Sequence, residues 1–455
     1  MSSPDQDHSV TICGAGLAGS LLAILLAQRG FDVLLYERLG DLRREEIPAG
    51  RSINLALAAR GIRALELAGV MSEVTPLMIE MPGRMLHDAN GARTFLPYGQ
   101  DASEVIYSVS RPGLNRVLLD AAERAGVKLF FHHPVRAVDF DHREVLIANE
   151  RSQSQVNVPL HHVIAADGAG SVLRQALVKQ LSIQNTEDLL EHGYKELTIP
   201  ASNEGTHQIE THALHIWPRG RFMLIALPNT DGSFTATLFL PHHGPESFGT
   251  LNEPDAVRGF FARYFQDALA LMPNIASEFA SRPTGIMGTV RCERWSIDDE
   301  LLLIGDAAHA ITPFHGQGMN CALEDCAQFA ALLSTESDWK SVFNRFEQLR
   351  RPNTNAIAEM ALENYLEMRD TVRDPKFQLQ KSLSLELERR FPGRFIPRYS
   401  MVMFHARIPY SVAFDRGLIQ SGILSELTEH ATSLDEVDWS RAASLVEERL
   451  QPILA

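Results

Sequence analysis

Residues 9–38, SVTICGAGLAGSLLAILLAQRGFDVLLYER, contain the patterns of a strand, a glycine-rich turn, a helix and a second strand. The apolar run 9–14 predicts the first strand, residues 17–29 predict the helix, and FDVLLYER at 31–38 predicts the second strand. Two strands joined by a helix are typical of a parallel pair. This stretch therefore predicts a β-α-β unit and, with it, an α/β fold.

Three glycines in the turn have the spacing of a dinucleotide-binding loop. Gly14 allows a tight turn, Gly16 lets backbone N–H groups approach a pyrophosphate, and Gly19 permits close contact between helix and strand. Glu37 follows Gly19 by 18 positions and ends the second strand, where an acid can accept hydrogen bonds from a ribose. The pattern predicts a dinucleotide site without distinguishing NAD from FAD.

A second stretch, LLLIGDAAHAITPFHGQGMNCALED at 301–325, favours FAD. Its apolar strand ends at Gly305-Asp306, where a carboxylate can bind a ribityl hydroxyl. A glycine-rich turn then precedes a helix whose first N–H groups, those of Gly318, Met319 and Asn320, can stabilise negative charge on a reduced flavin. Two such cofactor-binding motifs on one chain indicate a flavoprotein.

A third motif, DGAGSVLR at 167–174, follows an apolar strand. Asp167 there could contact a cofactor. Taken alone, the segment is as well explained by an ordinary turn and helix cap, because Asp, Gly and Ser are common in both.

Composition and charge exclude several classes of protein. The 455 residues are 45% hydrophobic and 22% charged, which is ordinary for a globular protein of two or three domains. The net charge of −15 argues against a nucleic-acid partner. No run approaches the roughly 20 apolar residues of a membrane span, and residues 420–455 are dotted with charge. We expect a soluble, cytoplasmic monomer or homodimer without a membrane anchor.

The four cysteines show no CxxC spacing. Cys321 and Cys326 have the spacing of a CxxxxC redox pair, but residues five apart on a predicted helix point to different faces. We therefore expect buried, reduced thiols.

The rest of the chain alternates between strand and helix patterns. Four strand patterns within 194–240 predict an antiparallel sheet, and 320–455 is mostly helical by periodicity. Residues 51–69 are predicted as a helical segment, and VKLFFHHPVRAVDFD at 127–141 as a pair of strands.

The predicted fold is mixed α/β: a Rossmann-like FAD-binding domain, an inserted antiparallel β-sheet domain for substrate and a helical C-terminal region. The predicted boundaries are 1–75, 100–180 and 285–370 for the FAD-binding domain, 76–99 and 181–284 for the substrate domain, and 371–455 for the C-terminal region.

In this order, the three motifs resemble the single-component flavin aromatic hydroxylases, which have the p-hydroxybenzoate hydroxylase fold. The matching motifs lie within 10–325. The resemblance implies FAD bound by the β-α-β unit, Arg111 near the cofactor, and NADPH that reduces the flavin without a Rossmann domain of its own. The sequence has no WxWxIP segment, which disfavours a flavin halogenase.

Further segments, spread over nearly the whole chain, resemble the kynurenine 3-monooxygenase family more specifically. They are RSINLAL (51–57), GRMLHD (83–88), LPYG (96–99), HGYKEL (192–197), ALHIWP (213–218), PFHGQGMN (313–320), ALENYLEM (361–368) and RFIPRYSMV (394–402). The resemblance implies that Arg84 and Tyr98 hold a substrate carboxylate, with Asn364 and Tyr399 at the amino-acid end. A planar guanidinium suits a carboxylate through two parallel hydrogen bonds.

The implied reaction is the conversion of L-kynurenine to 3-hydroxykynurenine in tryptophan degradation, the kynurenine pathway. NADPH reduces FAD, O2 forms a C4a-hydroperoxyflavin, and the ring is attacked ortho to its amine. No classical acid–base residue is predicted, because the amine already donates electron density to the ring. Two alternatives stay open: a hydroxylase for another anionic aromatic acid, and a flavin reductase or redox sensor that does not oxygenate.

The predicted sites contain no metal. The predicted cofactor site comprises Gly14, Gly16, Leu17, Ala18, Gly19, Glu37, Arg38, Ala56, Arg111, Asp167, Asp306, Gly318, Met319 and Asn320. The predicted substrate site comprises Arg84, Tyr98, Phe239, Phe314, His315, Asn364 and Tyr399. For Phe239, an ordinary place in the sheet core is an equally good interpretation. His309 is predicted to be a structural hydrogen-bonding residue.

Overall fold

The computed structural model describes residues 8–45, 54–336, 338–367 and 374–453. The chain divides into two compact units, each built from three stretches of sequence. The first comprises Met1–Met78, Val109–Leu190 and Met287–Asn355, and the second comprises Ile79–Ser108, Glu191–Ile286 and Ala356–Ala455. The division into three parts drawn from the sequence stays a prediction.

The described residues form strands that fall into four sheets. The strands are β1 (Ser9–Cys13), β2 (Asp32–Tyr36), β3 (Asn54–Leu57), β4 (Met78–Met81), β5 (Gly83–His87), β6 (Arg93–Pro97), β7 (Ile106–Ser110), β8 (Lys128–Phe130), β9 (Val135–Asp139), β10 (Glu144–Asn149), β11 (Ser154–Pro159), β12 (Val163–Ala165), β13 (Asn185–Ile199), β14 (Leu214–Pro218), β15 (Met223–Pro228), β16 (Phe234–Pro241), β17 (Gly285–Cys292), β18 (Ser296–Ile297) and β19 (Leu301–Leu303).

Helices connect and cover these strands. The α-helices are α1 (Leu17–Ala27), α2 (Ala59–Leu67), α3 (Met71–Val74), α4 (Arg111–Arg124), α5 (Val172–Leu181), α6 (Pro254–Tyr264), α7 (Gln266–Leu269), α8 (Ile275–Ser281), α9 (Asp306–His309), α10 (Gly318–Leu332), α11 (Trp339–Leu366), α12 (Pro375–Arg390), α13 (Arg398–Met403), α14 (Tyr410–Leu427) and α15 (Trp439–Arg449). Short 3-10 helices occur at Thr75–Leu77, Phe248–Thr250, Pro313–His315 and Leu434–Glu436.

The main sheet of the first unit has the strand order β18-β19-β12-β1-β2-β8. β1 pairs with β2 and with β12 in parallel, and β12 pairs with β19 in parallel. The predicted β-α-β unit is therefore confirmed. Because adjacent parallel strands end at the same edge of a sheet, β1, β12 and β19 deliver the turns that follow them to one place. These turns contain the three sequence motifs.

Two predictions about this part of the chain were wrong. Residues 54–57, predicted as helix, form β3, which neighbours β7 in a separate sheet. The helical periodicity of the segment belongs only to α2, which begins at Ala59. The two strands within 127–141 exist but do not pair with each other. β8 joins β2 in parallel, whereas β9 joins β10 antiparallel in another sheet.

The main sheet of the second unit has the order β17-β13-β16-β15-β14-β5-β6. The four strands expected between residues 194 and 240 are present, and they pair antiparallel with one another. The sheet as a whole is mixed, because β5 pairs with β14 in parallel. The strands β5 and β6 thereby join a sheet whose other strands, β13 to β17, come much later in the sequence.

One face of this sheet packs against α6, α7 and α8. The sheet contributes alternating apolar residues, and the helices contribute aromatic rings. The core cluster includes Trp217, Leu224, Ala226, Ala236, Leu238, Leu240, Phe260, Phe261 and Phe265. The C-terminal helices α12, α14 and α15 form an apolar cluster of their own, which includes Leu383, Leu387, Ile423, Leu445 and Val446. The predicted helical character of 320–455 is confirmed for the described residues.

All four cysteines are free and buried, as expected. Burial raises the pKa of the thiols of Cys13, Cys292, Cys321 and Cys326 above the ordinary value. Each therefore remains a protonated thiol at neutral pH. Over the described ranges of the chain, no helix combines the length and apolar character that a bilayer crossing requires.

The aromatic core of the second unit gives a test of the fold. Phe261 is fully buried within it. We expect Phe261→Ala to lower the free energy of unfolding by about 3–5 kcal/mol, because the truncation removes apolar burial and leaves a cavity. Urea denaturation measures this value. The matched control is Leu418→Ala, since that side chain is 52% exposed. An equal effect of both substitutions would contradict the packing described.

Candidate functional site

The glycine loop after β1 is shaped by close backbone contacts. Gly14 has a φ of +108°, and a Cβ at this residue would collide with the backbone of Ala166. A Cβ at Gly19 would collide with the carbonyl of Gly14. At Gly16, by contrast, no atom of the described residues lies within 4 Å of the position that a Cβ would take. The loop is therefore tight on its inner side and leaves space in front of Gly16, at the start of α1, which contains Leu17 and Ala18.

Glu37 stands directly after β2 and is bound to this loop. Its Oε2 accepts the N–H of Ala15 at 2.8 Å, and its Oε1 accepts the N–H of Leu39 at 2.9 Å. Each carboxylate oxygen keeps further acceptor capacity, so the group can still bind a ribose hydroxyl. Arg38, the next predicted residue, is exposed.

Asp167 follows β12 and is both a helix-capping residue and a candidate ligand. Its Oδ2 accepts the N–H of Val172 at 3.0 Å, and Ser171 caps α5 by accepting the N–H of Arg174. Its Oδ1 is buried and has no hydrogen-bond partner among the described residues. Burial raises the pKa of this carboxyl. A buried polar oxygen of this kind suits a donor group on a bound cofactor.

Asp306 begins α9, shortly after the strand β19, and is exposed. The turn before it is held by the buried Asp325. Asp325 Oδ2 accepts the N–H of Gly305 at 3.1 Å and pairs with His309 Nε2 at 2.6 Å, while Oδ1 accepts Arg350 Nε at 2.6 Å. The structural role predicted for His309 is confirmed.

The charge of Asp325 is stabilised by its neighbours. Burial alone would raise the pKa of Asp325, but His309 and Arg350 lower it below the ordinary value. Arg350 also binds Glu324 at 2.7 Å, and Glu324 binds Arg60 at 2.6 Å. Removing one member of such a buried network leaves an uncompensated charge, which is strongly unfavourable.

Asn320 anchors the second glycine turn through its side chain, which the sequence did not indicate. Its Nδ2 donates to the carbonyls of Ala56 at 2.8 Å and Gly316 at 3.0 Å, and its Oδ1 accepts the N–H of Ala58 at 2.9 Å. Gly316 has a φ of +65°, which favours glycine.

The N-terminus of α10 has no side-chain cap among the residues that the structure describes. The N–H groups of Gly318 and Met319 can therefore meet a negatively charged group. Arg111 lies at the start of α4 and is exposed, while Ser110 caps that helix by accepting the N–H of Gly113. The first unit thus contains acceptors for ribose and ribityl hydroxyls and donors for phosphate and flavin, a set that fits FAD.

The predicted substrate residues on strands share one face of the second unit's sheet. Side chains project to the same face of a sheet when their residues are paired across strands or lie two residues apart along a strand. Arg84 is paired with Leu214, and Ile216, two residues on, is paired with Ile225. Ile225 is in turn paired with Thr237, which lies two residues before Phe239, so Arg84 and Phe239 lie on the same face. The opposite face is the one that packs against α6–α8. Phe239 is therefore buried outside the core cluster that the sheet forms with these helices.

Arg84 lies beside a pair of stacked tyrosine rings. Its guanidinium carbon is 5.3 Å from the centre of the Tyr98 ring and 4.9 Å from that of Tyr399. The two rings stack with centres 5.5 Å apart and planes inclined by 14°. Arg84 Nε and the Tyr98 hydroxyl are buried, and neither makes a hydrogen bond of ordinary geometry within the described part of the chain. The side chains of Arg84, Tyr98 and Tyr399 interact with one another, and buried donors with unused capacity suit an anionic ligand group.

The protonation of this cluster is fixed by its surroundings. Burial alone would lower the pKa of Arg84, but Tyr399, Tyr98 and Glu367 raise it, so the guanidinium stays charged. Burial and then Tyr399 raise the pKa of Tyr98 well above the ordinary value, and burial raises that of Tyr399. Both hydroxyls therefore remain protonated donors at neutral pH.

Asn364 is buried on α11, and two neighbours on that helix position it. The Tyr365 hydroxyl is 2.7 Å from His192 Nδ1, which ties α11 to β13. Glu363 pairs with Arg398 at 2.5 Å, which ties α11 to α13, the helix that contains Tyr399. These positioning contacts were not predicted, although all four residues fall within segments that carried the family resemblance.

Phe314 and His315 belong to the first unit, where both are buried in the 3-10 helix Pro313–His315. Their predicted contact with substrate stays a prediction, as do the roles assigned to the other site residues.

Comparison with known proteins identifies relatives of this chain. The family model described as an FAD binding domain matches residues 7–360. A kynurenine 3-monooxygenase of Myxococcus xanthus is 47% identical over 455 residues, which are 100% of this chain and 98% of the relative. A kynurenine 3-monooxygenase of Stenotrophomonas maltophilia is 48% identical over 447 residues, 98% of each.

The fold has solved relatives at lower identity. A tetrameric form of 2-methyl-3-hydroxypyridine-5-carboxylic acid oxygenase superposes with a TM-score of 0.64 at 20% identity, covering 81% of this chain and 94% of that chain. This likeness concerns the fold alone. With the family model, it confirms the predicted mixed α/β class and FAD as the cofactor.

The backbone contact at Gly19 gives a test of the cofactor site. We expect Gly19→Ala to weaken FAD binding about 30- to 100-fold, because a shift of the loop costs about 2–3 kcal/mol. Titration of the apoprotein with FAD measures the dissociation constant. Gly259→Ala on α6 is the matched control, since no described atom lies within 4 Å of its Cβ position. Unchanged FAD affinity in the Gly19 variant would contradict the assigned loop.

Proposed function

The chain belongs to the FAD-dependent kynurenine 3-monooxygenase family, and we propose from this membership that it converts L-kynurenine to 3-hydroxykynurenine. The reaction consumes NADPH and O2. The observation that carries the assignment to this chain's own residues is the charged Arg84 beside the stacked rings of Tyr98 and Tyr399.

Arg84 and Tyr98 are the proposed receptors of the substrate carboxylate. A guanidinium can donate two parallel hydrogen bonds to a carboxylate, and a protonated tyrosine hydroxyl adds a third donor. The raised pKa of Tyr98 supports this role, because the phenol keeps its proton in the presence of an anion. Tyr399 and Asn364 are assigned to the amino-acid end of the substrate.

The face of the sheet that contains Phe239 is the proposed platform for the aromatic ring. Phe239 is paired with Met223 on the neighbouring strand and lies two residues after Thr237 on its own strand. It offers an apolar surface on which a planar ring can be oriented. Bound FAD, reduced by NADPH, supplies the activation of O2. The protein's own residues bind the substrate, orient its ring and exclude water.

No acid–base residue is assigned. The aromatic amine of kynurenine donates electron density to its ring, so attack on the ring needs no prior deprotonation by the protein. His315, although histidine is the usual proton shuttle, is therefore proposed as a residue of the pocket lining.

The reaction is tested by NADPH oxidation with identification of the product. We expect kynurenine to accelerate NADPH consumption strongly and to yield 3-hydroxykynurenine, because the carboxylate receptor and the flavin site serve one reaction. Anthranilate and salicylate are the comparison compounds. Hydroxylation of one of these, with no response to kynurenine, would favour a different aromatic acid. Absence of any oxygenated product would favour a reductase or sensor.

Arg84→Ala tests the substrate site. We expect the KM for kynurenine to rise about 100-fold, since loss of a charged hydrogen-bonded pair costs roughly 3 kcal/mol. FAD content should not change. The matched control is Arg93→Ala, an exposed arginine on the neighbouring strand β6. Loss of the flavin, or an unchanged KM, would show that Arg84 does not bind the substrate carboxylate.

A further inference from the structure

The loop that follows Tyr98 is folded around the carboxylate of Glu104. Glu104 Oε2 accepts the N–H groups of Gln100 at 2.8 Å and Asp101 at 3.1 Å. A side chain at Gly99 would collide with Glu104, so the glycine lets this carboxylate lie against the backbone next to Tyr98. Glu104 therefore fixes the conformation of the chain directly after the proposed substrate ligand.

Gln100 connects this loop to α12. Its Nε2 donates to the backbone carbonyl of Leu385 at 2.6 Å and to Glu388 Oε2 at 3.2 Å. Gln100 thus donates to two carboxylates at once, to Glu104 with its backbone N–H and to Glu388 with its side-chain amide. Both carboxylates are bound to the residue that lies two positions after Tyr98.

The two carboxylates repel each other when both are ionised. Burial and then the charge of Glu104 raise the pKa of Glu388 to about 7, against a partly offsetting hydrogen bond from Gln100. Glu388 therefore changes its charge close to neutral pH. Below this value it is a neutral acid, and the contact between the loop and α12 contains one negative charge. Above it the same contact contains two.

Other charged groups on α12 have different partners. Glu386 binds Arg389 and Arg390 on the same helix. Lys381 lies two turns before Glu388, and partial burial followed by the charge of Arg84 lowers its pKa.

Charged groups from the elements packed against α12 do not compensate Glu388. On α14, Glu426 is bound to Arg441 and Arg449 of α15. In the turn at 434–436, Glu436 accepts hydrogen bonds from Thr432 and lies beside Asp435. Of the charged groups that the structure describes, Glu104 is the one that acts on Glu388.

We propose that Gln100, Glu104 and Glu388 are positioning residues that hold Tyr98 in place for the substrate carboxylate, and that ionisation of Glu388 loosens this hold. The inference rests on the proposed role of Tyr98 as a substrate ligand. The charge on the Glu104–Glu388 pair sets how firmly the loop is bound to α12. Affinity for substrate is therefore highest below neutral pH and falls as Glu388 loses its proton. The rate at saturating substrate does not follow this charge.

The test compares KM and kcat for kynurenine at about pH 6 and about pH 8, on either side of the Glu388 transition. We expect the KM of the unmodified protein to rise about three- to tenfold with pH, a range reduced for the solvent exposure of the pair. Glu388→Gln keeps the shape of the side chain without the charge, so KM should stay near its low-pH value at both pH values. Gln100→Ala should raise KM at both.

Glu386→Gln is the matched control, because it neutralises a carboxylate of the same helix that does not contact the loop. It should keep the pH response of the unmodified protein. Glu104→Gln provides a second route to the same result, since it removes the other charge of the pair. A purely structural role would lower the unfolding temperature of these variants without flattening the dependence of KM on pH.

The inference is overturned if Glu388→Gln and Glu104→Gln, folded and with full FAD content, both keep the pH response of the unmodified protein. It is also overturned if the response appears in kcat rather than in KM. Tyr98→Phe separates this outcome from a failure of the proposed function. An unchanged KM in that variant would remove Tyr98 from the substrate site, whereas a raised KM with an unaltered pH response removes only the positioning role.

Discussion

The cofactor site depends on the parallel pairing of β1, β12 and β19. The backbone N–H of Ala166 binds the carbonyl of Cys13 at 2.8 Å, and that of Ile304 binds the carbonyl of Ala165 at 3.0 Å. These bonds continue the ladder just past the strand ends. The glycine loop, the Asp167 turn and the Gly305-Asp306 turn therefore start from adjacent positions at one edge, although they are far apart in sequence. The buried charge network around Asp325 then holds the third turn against this edge.

In the second unit, the register of strand pairing constrains the position of Arg84 in a similar way. Arg84 lies on the sheet face proposed to bind substrate because β5 pairs in parallel with β14, a strand more than 100 residues later in the sequence. A shift of one residue in that pairing would turn Arg84 toward the packed core. The contacts of α11 with β13 and α13 position the segments that contain Asn364 and Tyr399, which are proposed to bind substrate. The relative positions of the proposed substrate residues in this unit are thus set by strand register first and by helix contacts second.

The sequence predicted those parts of the protein that have local signatures. The β-α-β unit and the glycine turns each depend on residues close together in the chain. The strand β3 was wrongly predicted as helix, because four residues are too few to show a hydrophobic periodicity distinct from that of the helix that follows. Their conformation is decided by pairing with β7. The role of the Asn320 side chain and the pairing of Tyr365 with His192 depend on contacts distant in sequence. No spacing rule reveals such contacts.

The buried cysteines have a consequence for an enzyme that handles O2. When reduction of oxygen is not coupled to hydroxylation, such a site releases hydrogen peroxide, and peroxide attacks cysteine as the thiolate. In this chain every thiol is shielded from solvent and holds its proton more firmly than a free cysteine does. Cys321 and Cys326 lie on α10, whose first N–H groups are predicted to face the flavin. We therefore expect the thiols of this helix to resist oxidation by the peroxide that uncoupled turnovers release.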